Sequence, residues 1–218
     1  MTDNFAWPRP SVSILALCGP SGCGKTVLEE KLVRGCPRAF SKLPQVTTRA
    51  PRPSERQFNP YFFVSKEQYD TIRDCGFLIC KVPMSEKFKA SYGTIPLLNP
   101  NKVNTAIVSA DGLRDMMYLE ESMDGIVKLF VAYIDVYNPR DGRDVQAEIA
   151  ALEDELLRAA RFGRYRTTVR KFVPLPGEAF VSPKSVAREV CMAGLGPPGR
   201  WQFSNKILSL IEERVSSG

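Results

Sequence analysis

The chain has 218 residues, 44% of them hydrophobic and 25% charged, which suits one α/β domain with an elaboration. No apolar run approaches the ~18–20 residues of a membrane span, and the N-terminus lacks the basic start and apolar centre of a signal peptide; a cytoplasmic location without a membrane partner is expected. Six cysteines without a C-x-x-C pair, and no histidine at all, exclude the common zinc sites and a disulfide framework.

What remains for chemistry is carboxylates, arginines, lysines and a metal ion. That set suits phosphoryl transfer, which needs positioning and charge stabilisation more than proton movement. The net charge of +6 and pI near 9.0 fit an enzyme of anionic substrates and equally a nucleic-acid binder.

In chain order, Met1 to Pro10 carry two prolines and no periodicity and read as a loose arm. Val12 to Leu17 read as a buried strand, followed by Gly19-x-x-x-x-Gly24-Lys25-Thr26 and a helix from Val27 to about Gly35. This is the phosphate-binding loop pattern in the context it requires. Backbone N–H groups of Gly19, Ser21, Gly22, Cys23 and Gly24 would cradle a polyphosphate at the helix N-terminus. Lys25 would reach the β/γ-phosphates of ATP, and the Thr26 hydroxyl would take a Mg²⁺ ligand position.

Val46 to Thr48 read as a strand entering a polar, proline-spaced loop, and Tyr61 to Val64 as another strand. A short helix over Lys66 to Asp74 and a strand over Phe77 to Val82 follow, then a charged loop over Pro83 to Ala90. Ala106 to Val108 read as a short buried strand ending at Asp111-Gly112, Asp115 to Met123 as a helix, and Ile126 to Val136 as a core strand. Val145, Ile149, Leu152 and Leu156 mark one face of a helix. Arg158 to Lys171 then carry six positive charges and no negative one, either a solvated run or a mobile segment that meets phosphate. Pro174 to Trp201 read as irregular, and Phe203 to Val215 as a closing amphipathic helix.

This alternation behind a phosphate loop argues for an α/β fold: a P-loop NTPase core with a parallel sheet flanked by helices, and ligand at the carboxyl ends of the strands. The short polar strands between Tyr61 and Tyr92 read as a small inserted subdomain over the site.

With these stretches assembled, the chain resembles the guanylate kinase family of nucleoside monophosphate kinases. The resemblance rests on GPSGCGKT ending at Thr26, TTRAPRPSE from Thr47 to Glu55, YFFV from Tyr61 to Val64, and Tyr92-Gly93-Thr94, in the family's order across roughly residues 12–135. It implies one domain over residues 11–218, with an acceptor-binding insert at about 43–95, a lid at about 138–145 and a divergent part from about 172. It also implies that Arg49, Arg52, Tyr61 and Tyr92 clamp the acceptor's monophosphate, with Thr94 beside them. Two guanidinium forks and two phenols suit a dianionic phosphate.

The base-reading positions depart from the family. Its glutamate after a Phe-Leu pair is replaced, since Phe77-Leu78 is followed by Ile79 and Cys80. A family serine becomes Gln45, and of two family aspartates only Asp111 is kept, with Ser109 at the other position. Losing a charged acceptor aimed at a buried N–H pair forfeits selectivity, so Gln45 with Ile79 suits a pyrimidine or a modified base. Asp111 would touch the acceptor base or assist the metal through water. Arg140 and Arg143 fall in the lid, where the resemblance implies closure over the transferring group; the following helix has no arginine, leaving Arg158 or Arg161 to complete it.

The leading reading is ATP- and Mg²⁺-dependent phosphoryl transfer to the phosphate of a nucleoside or deoxynucleoside monophosphate. A second keeps the fold but phosphorylates a hydroxyl on a modified base in DNA, which would give the basic run its purpose. A third is a non-catalytic phosphate-binding module, against which the intact Lys25 and Thr26 speak. The oligomeric state is not written in the sequence.

Overall fold

The computed structural model describes residues 11–20, 22–51, 61–84, 89–123, 126–134, 150, 154, 168–174 and 178–193. Among the described residues, five parallel strands form the central sheet: β1 (Val12–Cys18), β2 (Phe40–Lys42), β7 (Val103–Ile107), β8 (Val127–Ile134) and β9 (Thr168–Phe172), in the order β2-β7-β1-β8-β9. Every residue of β1 is buried, as expected where helices cover both faces of a parallel sheet.

The alternation of a strand sorts its side chains between two cores. Leu15 and Leu17 join Phe130, Ala132 and Ile134 beneath α1 (Lys25–Gly35) and α4 (Pro183–Met192), which supply Leu28, Leu32, Val186 and Val190. Ile14, Ala16 and Cys18 face the other way, with Leu129, Val131 and Tyr133, against Leu113, Met116 and Met117 of α3 (Ala110–Ser122).

A second sheet has the order β4-β3-β6-β5, built from β3 (Gln45–Thr47), β4 (Phe62–Phe63), β5 (Ile79–Val82) and β6 (Tyr92–Thr94). It leaves the central sheet two residues after β2, where Leu43 N–H still donates to Thr105 O across the edge of β7. Its helix α2 (Lys66–Asp74) begins with a reciprocal capping box between Ser65 and Gln68. Tyr69 of α2 packs with Val46 and Leu78, and its hydroxyl donates to Tyr92 O at 2.7 Å. One face of the small sheet is thereby covered.

Four expectations change. β2 is a strand that the sequence reading passed over, too short to show an alternation. Asp111-Gly112 is the first turn of α3 and not a strand end; Ser109 caps that helix by accepting from Gly112 N–H at 3.2 Å. Residues 183–192, expected to be irregular, form α4. Pro183 sits at the helix start, where its missing N–H costs nothing, and Val186, Ala187 and Val190 bury one face. The end of the basic run, Thr168 to Lys171, lies in β9: Val169 packs on the core, Arg170 pairs with Glu189 at 3.4 Å, and Lys171 Nζ lies 5.8 Å from the Tyr133 ring centroid. Of the helix expected over 145–157, Ala150 and Asp154 are described and are helical. The arm 1–10, the lid, residues 158–167 and the closing helix lie outside the described residues.

Two buried polar centres fix the strands. Asn104, 1% exposed, donates to Ser13 O, Asn99 O and Lys102 O and accepts from Asn99 N–H. Replacing it with alanine leaves several buried backbone groups unpaired, so Asn104→Ala is expected to lose about 1–3 kcal/mol in a urea melt. Glu29 of α1 is buried against Lys42 of β2 at 2.8 Å and accepts from Thr105 at 3.1 Å, tying helix to sheet edge.

Candidate active site

The loop after β1 turns on glycines with positive φ: Gly19 at 144°, Gly22 at 83° and Gly24 at 89°. Two of them are also required by space. A Cβ on Gly19 would lie 2.2 Å from the Ile134 carbonyl oxygen, and one on Gly24 2.4 Å from the Phe180 ring. Lys25, first residue of α1, donates to Gly19 O and Pro20 O, both at 2.7 Å, so its ammonium is folded back across the loop. No acidic residue stands in the first turn of α1, leaving the helix N-terminus positive toward the loop.

Thr26 is exposed on that turn. Mg²⁺ keeps several waters and takes phosphate oxygens when a nucleotide is present, so a single protein hydroxyl fits its needs. Among the described residues no three His, Cys, Asp or Glu side chains form a metal cage. Cys23 Sγ lies 3.6 Å from Lys25 Nζ; burial pushes its thiol up while the ammonium pulls it down. Burial pushes the Cys18 thiol up to about 12. These cysteines are neutral packing groups at neutral pH.

The second sheet brings the arginine and tyrosine positions together. Arg49 Cζ lies 5.2 Å from the Tyr61 ring centroid and 5.3 Å from that of Phe63, and the Tyr61 and Tyr92 rings are 6.1 Å apart. Two threonines hold this corner. Thr47 Oγ1 donates to Ser91 O at 3.0 Å and accepts from Arg49 N–H, while Thr48 Oγ1 accepts from Ser91 N–H at 2.9 Å. The hydroxyls thus lace the start of the arginine loop to the start of β6, a positioning role that the motif alone did not reveal. Lys42 Nζ, 5.5 Å from the Tyr61 centroid, is a second cation at this corner that the sequence reading missed.

Gln45, Thr94 and Ile79 form one transverse row, Gln45 opposite Thr94 and Thr94 opposite Ile79. Gln45 and Thr94 are buried and Ile79 is half-buried. Next to Ile79, Cys80 has φ 52° at an irregularity of β5, and its thiol donates to Gly112 O at 3.2 Å. Asp111 stands apart on the first turn of α3, its side chain 79% exposed and 3.5 Å from Arg114. Ser21, Arg52, Arg140 and Arg143 lie outside the described residues.

Phe180, 37% exposed and packed on Gly24, follows β9 and is a further residue at the loop that sequence reasoning passed over. No periodicity marks it; only the fold brings it there.

Residues 11–95 match the family model described as guanylate kinase. A guanylate kinase of Oleidesulfovibrio alaskensis is 45% identical over 71 residues, 32% of this chain and 33% of that protein. One from Anaplasma phagocytophilum is 30% identical over 122 residues, 54% of this chain and 56% of that protein, and one from Chlamydia felis is 36% identical over 100 residues. These alignments span from a third to just over half of the relatives' own lengths. The crystal structure of the Anaplasma phagocytophilum guanylate kinase superposes with a TM-score of 0.50 at 18% identity, covering 84% of this chain and 86% of that one. Residues 11–95 thus match the guanylate kinase family model, and over most of its length the chain has a fold similar to that of a guanylate kinase.

Proposed function

We propose that the protein transfers the γ-phosphoryl group of ATP, with Mg²⁺, to the phosphate of a nucleoside or deoxynucleoside monophosphate. The observation that carries this reading is the pairing of two phosphate-binding features at one end of the fold. The glycine loop with Lys25 leaves the carboxyl end of β1, and the sheet bearing Arg49, Tyr61 and Tyr92 grows from the carboxyl end of β2.

In this reading an oxygen of the acceptor monophosphate attacks the γ-phosphorus, the bond to the β–γ bridging oxygen breaks, and ADP leaves with that electron pair. The acceptor phosphate is already anionic, so no general base is needed. Lys25 and the loop amides hold the donor's β/γ-phosphates and neutralise charge on the leaving side. Thr26 would hold the Mg²⁺, which when bound would help neutralise the charge of the phosphates. Arg49, Arg52, Tyr61 and Tyr92 would fix the acceptor in line, and Arg140 and Arg143 would stabilise the charge of the transferring group.

The test is a transfer screen with γ-labelled ATP and Mg²⁺ against every common ribo- and deoxyribonucleoside monophosphate, beside plain and hydroxymethylated DNA. A labelled nucleoside diphosphate supports the proposal. Label found only in DNA moves the chain to a base-hydroxyl kinase, and bound ATP without any transfer leaves a phosphate-binding module. In the same assay Arg49→Ala should raise the acceptor's KM roughly 10–100-fold, the worth of a hydrogen bond to a charged group, with little change in the KM for ATP. An equal rise in both constants would show that Arg49 shapes the fold and does not bind acceptor.

A further inference from the structure

We infer that Lys42 is a positioning residue of the acceptor corner: anchored on the buried Glu29 of α1, its ammonium holds the Tyr61 ring in place for the acceptor phosphate. The inference rests on the monophosphate kinase reading and adds a residue to its acceptor site. Lys42 ends β2 in the central sheet, and only Leu43 and Pro44 separate it from β3 of the small sheet. Tyr61 directly precedes β4 of that small sheet. The Lys42 ammonium, 5.5 Å from the Tyr61 ring centroid, therefore bridges the two sheets beside their junction. A cation within about 6 Å of an aromatic centroid is attracted by the negative face of the ring.

What fixes the ammonium is a carboxylate that is itself held. Glu29 is 1% exposed. Its Oε1 accepts from Thr105 Oγ1 at 3.1 Å, and Thr105 is the cross-strand partner of Lys42. Its Oε2 lies 2.8 Å from Lys42 Nζ and has no other hydrogen-bond partner among the described residues. A buried carboxylate stripped of its counter-charge is strongly disfavoured, so the ammonium is kept where it is. Glu29 also stands one helical turn after Lys25 on α1. One helix thus carries the lysine of the glycine loop and, a turn later, the anchor of the acceptor corner.

The same pair decides how Lys42 acts. Arg49, 5.2 Å from the same ring centroid, is the cation assigned to the acceptor phosphate. The charge on Lys42 is already matched by Glu29, so the pair adds little net field to the corner. Its contribution is the placement of the ring, and with it the aim of the Tyr61 hydroxyl.

The experiment measures kcat and the KM values for ATP and for the best monophosphate acceptor, on the full chain and three variants, each checked by a thermal melt. Glu29→Met removes the anchor and lets the ammonium turn to water. Lys42→Met combined with Glu29→Met replaces the whole pair by apolar groups of similar length, which preserves the fold even where one unpaired charge would not. Lys42→Arg keeps both the ion pair and the ring contact. Both methionine variants should raise the acceptor's KM roughly 3–30-fold, the worth of a cation–ring contact, with little change in the KM for ATP. Lys42→Arg should stay close to the unmodified chain. A fall in the acceptor's KM in Glu29→Met would show that the released ammonium binds phosphate itself, and overturns the inference. An unchanged acceptor KM in the double variant, or an equal rise in both KM values, overturns it too. In each of these cases the kinase reading stands, whereas transfer to no monophosphate by the unmodified chain overturns both.

Discussion

Lys25→Ala is expected to lower kcat by roughly 10³-fold or more while leaving the fold intact. The ammonium is the one cation among the described residues whose geometry ties it to the loop itself, folded onto Gly19 O and Pro20 O. Those two carbonyls are weak partners beside a triphosphate, so a bound donor would draw the charge onto its phosphates. Its contribution grows in the transition state, where charge builds on the β–γ bridging oxygen, and for this reason kcat should fall more than ATP affinity. Stability should change little, because the side chain and both of its hydrogen bonds are only partly buried. Steady-state kinetics together with a thermal melt check both halves. A variant that keeps most of its kcat would remove Lys25 from the chemistry.

The second large effect is expected at Gly19, where Gly19→Ala should abolish measurable ATP binding and cost about 2–4 kcal/mol of stability. Two causes add. The residue sits at φ 144°, outside what an L side chain adopts readily, and the new methyl would meet the backbone oxygen of Ile134 at 2.2 Å and Cys23 Sγ at 3.0 Å. Neither a strand carbonyl nor a packed thiol can yield without moving β8 or the loop. A shift of ~1 Å in the loop is enough to misplace the phosphates and cost about 10²-fold. Gly22→Ala separates the two causes, since Gly22 has positive φ but open space around its Cβ position. It should show only the conformational cost, about 1 kcal/mol, with ATP binding largely kept. Equal damage at both positions would contradict the packing part of the argument.

These positions were legible in the sequence because the chemistry there is local. A glycine-lysine-threonine spacing encodes a strand, a turn and a helix start within fifteen residues, and β1 with α1 appears where it predicts. The alternation of strands and helices behind the phosphate loop announced the parallel sheet. What the sequence concealed depends on distant partners. β2 is three residues long and exists through its pairing with β7, and α4 is hidden among prolines and glycines although Val186, Ala187 and Val190 have helical spacing.

The candidate site divides the same way. Arg49, Tyr61 and Tyr92 could be named from a motif and a resemblance, and the structure sets their side chains around one corner. The lacing of Thr47 and Thr48 to Ser91, the cation at Lys42 and the ring of Phe180 on Gly24 have no sequence signature, since each joins segments far apart in the chain. Gln45 could be singled out as a departure from the family. That its carbonyl is buried without a partner, beside Thr94 and Ile79, comes only from the register of three strands.

The central claim is that donor and acceptor phosphates meet in line between the glycine loop and the arginine–tyrosine corner. Calorimetric binding of a bisubstrate compound, adenosine joined through five phosphates to a nucleoside carrying the preferred acceptor base, tests it most directly. If the two subsites face each other, the compound should bind at least 10²-fold more tightly than ATP, through the effective concentration of its linked halves, and Arg49→Ala should abolish that gain. An affinity no better than that of ATP, unchanged by Arg49→Ala, would contradict the account.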